Sequence, residues 1–182
     1  MRVIGGEFKG RPLASPKTTA TRPTSDRTRE SLFNILNNRI DFSEMRVLDV
    51  YAGTGALGIE ALSRGAQECV FIENGSSACA AIRQNLESFN LKDRTKLLKQ
   101  DATKLGKNRQ QGFDLVFLDP PYGKTLGERA IKSLVENGWL NENATLVLEE
   151  AASSAPQVLP GFMLQDQRKF GDTIIGIFGL SS

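Results

Sequence analysis

A chain of 182 residues, 40% hydrophobic and 24% charged, has the size and balance of one globular domain able to bury a substantial core. It contains no histidine, which removes His-activated nucleophiles, most zinc sites and the usual neutral-pH proton shuttle; no metal site is expected. The net charge of +2 is unevenly spread, because residues 1 to 29 carry seven basic and two acidic side chains and the rest of the chain is net negative.

Two cysteines, Cys69 and Cys79, lack companions at ligand spacing and are read as reduced thiols filling space. No apolar run approaches a membrane span, and the N-terminus lacks the apolar stretch of a secretory signal. A soluble, cytoplasmic protein without a membrane partner is expected, and no obligate protein partner is evident.

Residues 1–24 are rich in Gly, Pro, Thr and basic side chains. They suggest a short hairpin, 2–4 with 10–13, followed by an extended loop. This region is expected to form a basic arm that approaches phosphate, with Arg11, Arg22 and Arg27 facing substrate and Arg22 alternatively helping to close a cofactor pocket. Residues 25–182 would then form the main domain. Its leading helix can be capped by Thr24 or Ser25, and the spacing of Arg29, Leu32, Phe33 and Leu36 puts the last three on a buried face.

Beyond residue 45, short apolar runs alternate with helical stretches, the rhythm of a parallel α/β sheet. Strands are expected near 46–51, 68–73, 95–100, 113–118 and 144–149, and helices near 56–64, 76–90 and 126–137. The runs 163–169 and 173–178 around Phe170-Gly171-Asp172 predict a hairpin, so at least one terminal strand is antiparallel. With nothing after that hairpin, substrate selection is expected to fall to the N-terminal arm or to loops over the sheet.

The turn Tyr51-Ala52-Gly53-Thr54-Gly55 follows the first strand and opens a helix; Gly53 and Gly55 can take positive φ and allow close ligand approach. With Gly58 the run satisfies G-x-G-x-x-G, so a nicotinamide-dependent oxidoreductase stays open as an alternative. Asp49, four residues earlier, would face the ligand and disfavour a pyrophosphate. A cationic ligand without phosphate fits better, and S-adenosylmethionine is one.

Further acceptors fall at the next strand ends. Glu73, followed by Asn74, could hold ribose hydroxyls; Asp101 could accept from an adenine amino group, with the backbone of Ala102 near the ring.

The apolar run 113–118 ends in Asp119-Pro120-Pro121-Tyr122. Two prolines bar a helix and hold backbone carbonyls in a rigid extended turn beside the Asp119 carboxylate. That pair can accept both hydrogens of a planar amino group, favour a tetrahedral nitrogen and aim its lone pair at an activated methyl group. Tyr122 offers a face for base stacking. Amino-group methylation needs neither metal nor histidine, which agrees with the composition.

In these motifs the chain resembles the Rossmann-like class I methyltransferases. With Arg2-Val3-Ile4-Gly5-Gly6, Gly10-Arg11, 22–27, 29–33 and Phe170-Gly171-Asp172-Thr173 added, it is similar more narrowly to the RsmD-type 16S rRNA guanine-N2 methyltransferases. The resemblance covers nearly the whole chain; Tyr51 stands where many relatives have Phe.

It implies a mostly parallel seven-stranded sheet with an antiparallel terminal strand and helices on both faces. It also implies S-adenosylmethionine as cosubstrate, S-adenosylhomocysteine as product, and N2 of a guanine in 16S rRNA of the small ribosomal subunit as acceptor. The Asp119 to Tyr122 motif would equally serve an N6-adenine-type enzyme, or an amino-group methyltransferase acting on another nucleic acid or on protein.

Overall fold

The computed structural model describes residues 1–16, 24–122, 125–153 and 159–181. Seven strands, β1 (Arg46–Val50), β2 (Glu68–Glu73), β3 (Thr95–Lys99), β4 (Phe113–Leu118), β5 (Leu140–Ala151), β6 (Phe162–Phe170) and β7 (Thr173–Leu180), form one sheet in the order β3-β2-β1-β4-β5-β7-β6. β1 to β5 pair in parallel, while β7 runs antiparallel to both β5 and β6. The strand order reverses between β1, which pairs with β2, and β4. Ligands of open α/β sheets bind at such a switch point, outside the strand C-termini.

Side chains alternate between the two faces. Val47, Leu115, Phe117 and Val147 join one core with residues of helices α1 (Asp26–Asn37), α2 (Ala56–Ser63) and α3 (Ser76–Ser88). Leu48, Val50, Val116, Leu118, Leu146 and Leu148 form the other core, closed by Ala130, Ile131 and Leu134 of α4 (Leu126–Glu136) and by Trp139. Asp49, and by continuation Asp119 and Glu149, belong to the first face.

The helical spacing of the sequence is realised in α1, where Leu32, Phe33 and Leu36 are buried; Arg29 is buried with them. Ser25 is the cap, its hydroxyl accepting from Thr28 N–H at 3.1 Å, whereas Thr24 turns to another partner. β5 begins four residues before the expected strand. Its polar start, Asn141-Glu142-Asn143, carries no apolar signal, and the register with β4 jumps from Phe113↔Leu140 to Leu115↔Thr145. Gly112 permits this approach: a Cβ there would lie 2.7 Å from the Asn141 backbone.

The N-terminal segment pairs as expected, with Leu13 N–H donating to Met1 O at 3.0 Å, Val3 N–H to Arg11 O at 3.0 Å and Gly10 N–H to Val3 O at 2.8 Å around the antiparallel Arg2↔Pro12 bridge. Residues 1–16 are in addition fastened to α2 and α3. The buried Glu60 carboxylate accepts from Ile4 and Gly5 N–H, both at 2.8 Å, and from Arg64 Nε at 2.9 Å. Ser63 Oγ accepts from Phe8 N–H and donates to Gly5 O, while Asn85 pairs with both the N–H and the carbonyl of Ala14. Val3, Phe8 and Leu13 enter the first core, so this part of the arm is built into the domain.

Arg29 explains how that docking is tied to α1. Its guanidinium meets Asp26, donates to Arg2 O at 2.8 Å and stands 3.9 Å from Glu60. A charge buried this deeply is tolerated only with such partners. Among the described residues, no helix is long and apolar enough to cross a membrane.

Candidate active site

The loop after β1 is shaped by three left-handed residues, Tyr51 (φ 59°), Gly53 (φ 59°) and Gly55 (φ 77°). Gly55 N–H closes the turn on Ala52 O at 2.7 Å, and Ala52 N–H reaches Ile72 O at 3.2 Å, which ties the loop to β2. Nothing lies within 4 Å of a Cβ placed on Gly53, so open space adjoins the turn. Gly58 has a different task. A Cβ there would stand 2.5 Å from the Phe71 ring and 2.6 Å from Cys69 Sγ, so its absence lets α2 pack against β2.

Asp49 does not point freely at a ligand, as its position in the sequence suggested. It is 2% exposed, and its Oδ2 accepts Gly58 N–H at 2.9 Å. Gly55, the N-cap of α2, has no side chain to satisfy the first-turn amides, and Asp49 performs that service from the neighbouring strand. Burial raises its carboxyl to about 8, with Glu73 adding to the rise and the Gly58 hydrogen bond opposing it.

Glu73, at the end of β2, accepts Gly53 N–H through Oε2 at 2.9 Å and the N–H groups of Asn74 (2.9 Å) and Gly75 (2.8 Å) through Oε1. It thus joins the glycine loop to the turn before α3. Asp101 is exposed, accepts Thr103 N–H and Oγ1 at 2.8 and 2.7 Å, and is held below the usual carboxylate range by those bonds. Ala102 beside it is buried.

Tyr51 is partly buried, and its hydroxyl donates to Leu126 O at 3.2 Å. Burial first and Asp101 second push it up to about 12. Thr54 turns away: its hydroxyl contacts Met1 Sδ at 3.6 Å and its carbonyl accepts from Asn85 Nδ2 at 2.9 Å.

Asp119 follows Leu118, whose partners are Val50 on one side and Leu148 on the other. Its N–H contacts Val50 O at 3.4 Å. Its carboxyl lies well above the ordinary range, chiefly through burial and then through the negative charges of Glu149, Asp49 and Glu150. Pro120 is buried and Pro121 exposed. Tyr122 keeps 47% of its surface exposed while its hydroxyl is anchored, 3.0 Å from Thr173 Oγ1 and 3.4 Å from Glu149 Oε1. An aromatic face held in this way is a ready stacking platform.

Sequence reasoning missed Glu149. It is 8% exposed and raised by burial, while the hydroxyls of Thr24 (2.8 Å, to Oε2) and Tyr122 hydrogen-bond to it and oppose that rise. The signal was present, since Glu149 closes an expected strand as Glu73 does. The next residue, Glu150, is pushed to about 7 by burial and by Glu128.

The proposed substrate-facing arginines separate. Arg11 donates to Ser88 O at 2.6 Å and its guanidinium stacks 4.2 Å from the Phe89 ring centroid, so its contacts fasten the arm to the end of α3. Arg27 is exposed on α1, and Arg22 lies outside the described residues. Among the described residues, no group of three or more Cys, Asp or Glu side chains is arranged to hold a metal ion.

Asp49, Glu73, Asp119 and Glu149 lie on one face of the sheet at the C-terminal ends of neighbouring strands, with Asp101 one strand further out. Carboxyls in this array offer acceptors and no basic group, which suits a cationic ligand better than a pyrophosphate.

A family model described as conserved hypothetical protein 95 matches residues 1–179. The ribosomal RNA small subunit methyltransferase D of Haemophilus influenzae is 38% identical, over 88% of this chain and 83% of its own. The enzyme of that name from Escherichia coli strain K12 is 33% identical over 98% and 89%. Among solved structures, the yhhF protein of Escherichia coli superposes with a TM-score of 0.87 at 31% identity, covering 100% of this chain and 98% of its own.

Proposed function

Because the chain belongs to the conserved hypothetical protein 95 family, which includes the small subunit methyltransferase D enzymes, we propose that it methylates 16S rRNA, at the exocyclic N2 amine of a guanine. The observation that carries this reading is the half-buried Asp119 carboxyl in a double-proline turn, one strand from the open glycine turn and followed by an exposed, anchored Tyr122. S-adenosylmethionine would supply the methyl group from a sulfonium, which leaves as a neutral thioether.

The residues present fit that cosubstrate. Glu73, oriented by three backbone amides, can accept from ribose hydroxyls, and exposed Asp101 can accept from the adenine amine. The acidic wall suits the sulfonium and ammonium charges; a bound cation would favour the ionised form of the carboxyls that burial raises.

On the acceptor side, Tyr122 stacks the extruded base, and the Asp119 carboxylate and a carbonyl of the proline turn take the two amino hydrogens. The nitrogen lone pair, freed from the ring, forms the new bond to carbon while the sulfur–methyl bond breaks and its electron pair stays on sulfur. The nitrogen then sheds one proton, which the Asp119 carboxylate, made more basic by its surroundings and already accepting one of the amino hydrogens, can take. Exposed Arg27 and the basic segment before α1 would contact the RNA backbone, on a small-subunit particle in the cytoplasm.

Transfer of labelled methyl from S-adenosylmethionine to small ribosomal subunits, followed by nucleoside analysis, tests this. N2-methylguanosine is the expected product. Another methylated nucleoside would reassign the base, and absence of any transfer would overturn the reading.

A further inference from the structure

We propose that Glu149 is a positioning residue of the methyl-transfer reaction, a strand-end carboxylate that holds the Tyr122 ring and the start of α1 in one hydrogen-bonded unit beside Asp119. The inference rests on the function proposed above and adds a residue to its machinery. Geometry carries it. Leu118 and Leu148 are register partners in the parallel β4–β5 pair, so Asp119 and Glu149 are neighbours one step further along, on the same face.

Each Glu149 oxygen has a different partner. Oε2 accepts from Thr24 Oγ1 at 2.8 Å and Oε1 from the Tyr122 hydroxyl at 3.4 Å; Thr173 at the start of β7 meets the same phenol at 3.0 Å. Glu149 therefore links Thr24, two residues before α1, to the Tyr122 phenol of the catalytic turn, and Thr173 of the terminal hairpin meets that phenol as well. Tyr122 otherwise presents 47% of its surface to solvent. Loss of Glu149 would leave the phenol with Thr173 alone, and the ring would be held less firmly beside Asp119.

The buried charge has a second effect. Asp119 is faced by Asp49 from β1, by Glu149 and Glu150 from β5 and by Tyr122 from its own turn. Glu149 is the largest of the negative neighbours that raise the Asp119 carboxyl. It therefore helps set how readily Asp119 holds a proton.

Glu149→Gln keeps acceptor and size but removes the charge, whereas Glu149→Ala removes both. With small-subunit particles as substrate, Glu149→Ala is expected to lower kcat by about tenfold or more, the scale of a misplaced reacting group. The KM for S-adenosylmethionine should change by less than about threefold. Glu149→Gln should recover most of that rate at pH 8, and its acid limb should move to lower pH.

A kcat for Glu149→Ala within twofold of wild type, or an unmoved acid limb in Glu149→Gln, would overturn the assignment; if the alanine variant fails to fold, the glutamine profile decides alone. Carbon-13 titration of the Asp119 carboxyl in the ligand-free protein gives a readout independent of turnover, and Glu149→Gln should lower its midpoint. Wild-type protein that transfers no methyl would instead defeat the underlying functional reading, and the titration would still judge the Glu149 contact.

Discussion

The two halves of the acidic wall are held in opposite ways. On the β2–β3 side, Glu73 and Asp101 are oriented by backbone amides close to them in the chain, with Gly53 the one long-range donor. On the β4–β5 side, Asp119 and Glu149 are set by hydroxyls and charges brought from distant segments. Burial raises both of these carboxyls, while the Thr103 hydrogen bonds lower Asp101. Local amides make a carboxylate a fixed acceptor suited to ribose and adenine; tertiary contacts make one whose proton affinity depends on its surroundings, as a transfer site requires.

Substitutions that divide the two halves would sharpen the contrast. The largest effect is expected from Asp119→Ala, which should cut methyl transfer by about 10²-fold or more, the scale of losing one preorganised polar contact. S-adenosylhomocysteine affinity, measured by calorimetry, should stay within about threefold. Full activity in that variant would remove Asp119 from the mechanism.

Glu73→Ala should act on the other half. It strands the amides of Gly53, Asn74 and Gly75, a loss of about 1–3 kcal/mol for each group that stays buried and unpaired. Cosubstrate affinity should fall about tenfold or more while kcat at saturation changes little. A kcat defect with unchanged affinity would contradict the division.

Asp49 tests the electrostatics of the boundary between them. In the unfolded chain its carboxyl ionises near pH 4, but in the fold it keeps its proton to about 8. Between those values the folded state binds more protons than the unfolded one, so this site's contribution to stability falls as pH rises through the window. Asp49→Asn keeps an acceptor for Gly58 N–H without a charge. Its Tm advantage over wild type should grow from pH 4 to pH 8, and parallel Tm–pH curves would refute the shift.

The smallest effects separate the arginines. Arg11→Ala should cost about 1 kcal/mol of stability in urea unfolding, through its stacking on Phe89 and its bond to Ser88 O. Arg27→Ala should leave stability within about 0.5 kcal/mol and reduce the salt dependence of RNA binding by about one phosphate contact. A large stability loss at Arg27 with none at Arg11 would reverse their assigned roles.

Much of this was legible in the chain. The apolar runs ending in Glu73 and Asp119 marked strands and the ligand-facing edge together, because a parallel strand must be buried and its first polar residue marks where burial stops. The spacing of Leu32, Phe33 and Leu36 marked the buried face of α1. The polar start of β5 was not legible, since it is held by its approach to Gly112 and by Asn141 Nδ2 donating to Asp114 at 2.6 Å. The docked arm was hidden for a similar reason: its fastening depends on Glu60, Ser63 and Asn85, polar residues that look like surface positions on their own helices.

The sequence by itself determined the order of the candidate groups along the chain: glycine turn, Glu73, Asp101 and proline turn, each at a strand end. Those signals are local, written in runs a few residues long. Tertiary structure alone decided that Asp49 caps α2, that Arg11 fastens the arm, and that Glu149 joins Thr24 to Tyr122. Each of these depends on which side chain meets which across the sheet, and that is set by register and helix packing between segments up to 125 residues apart.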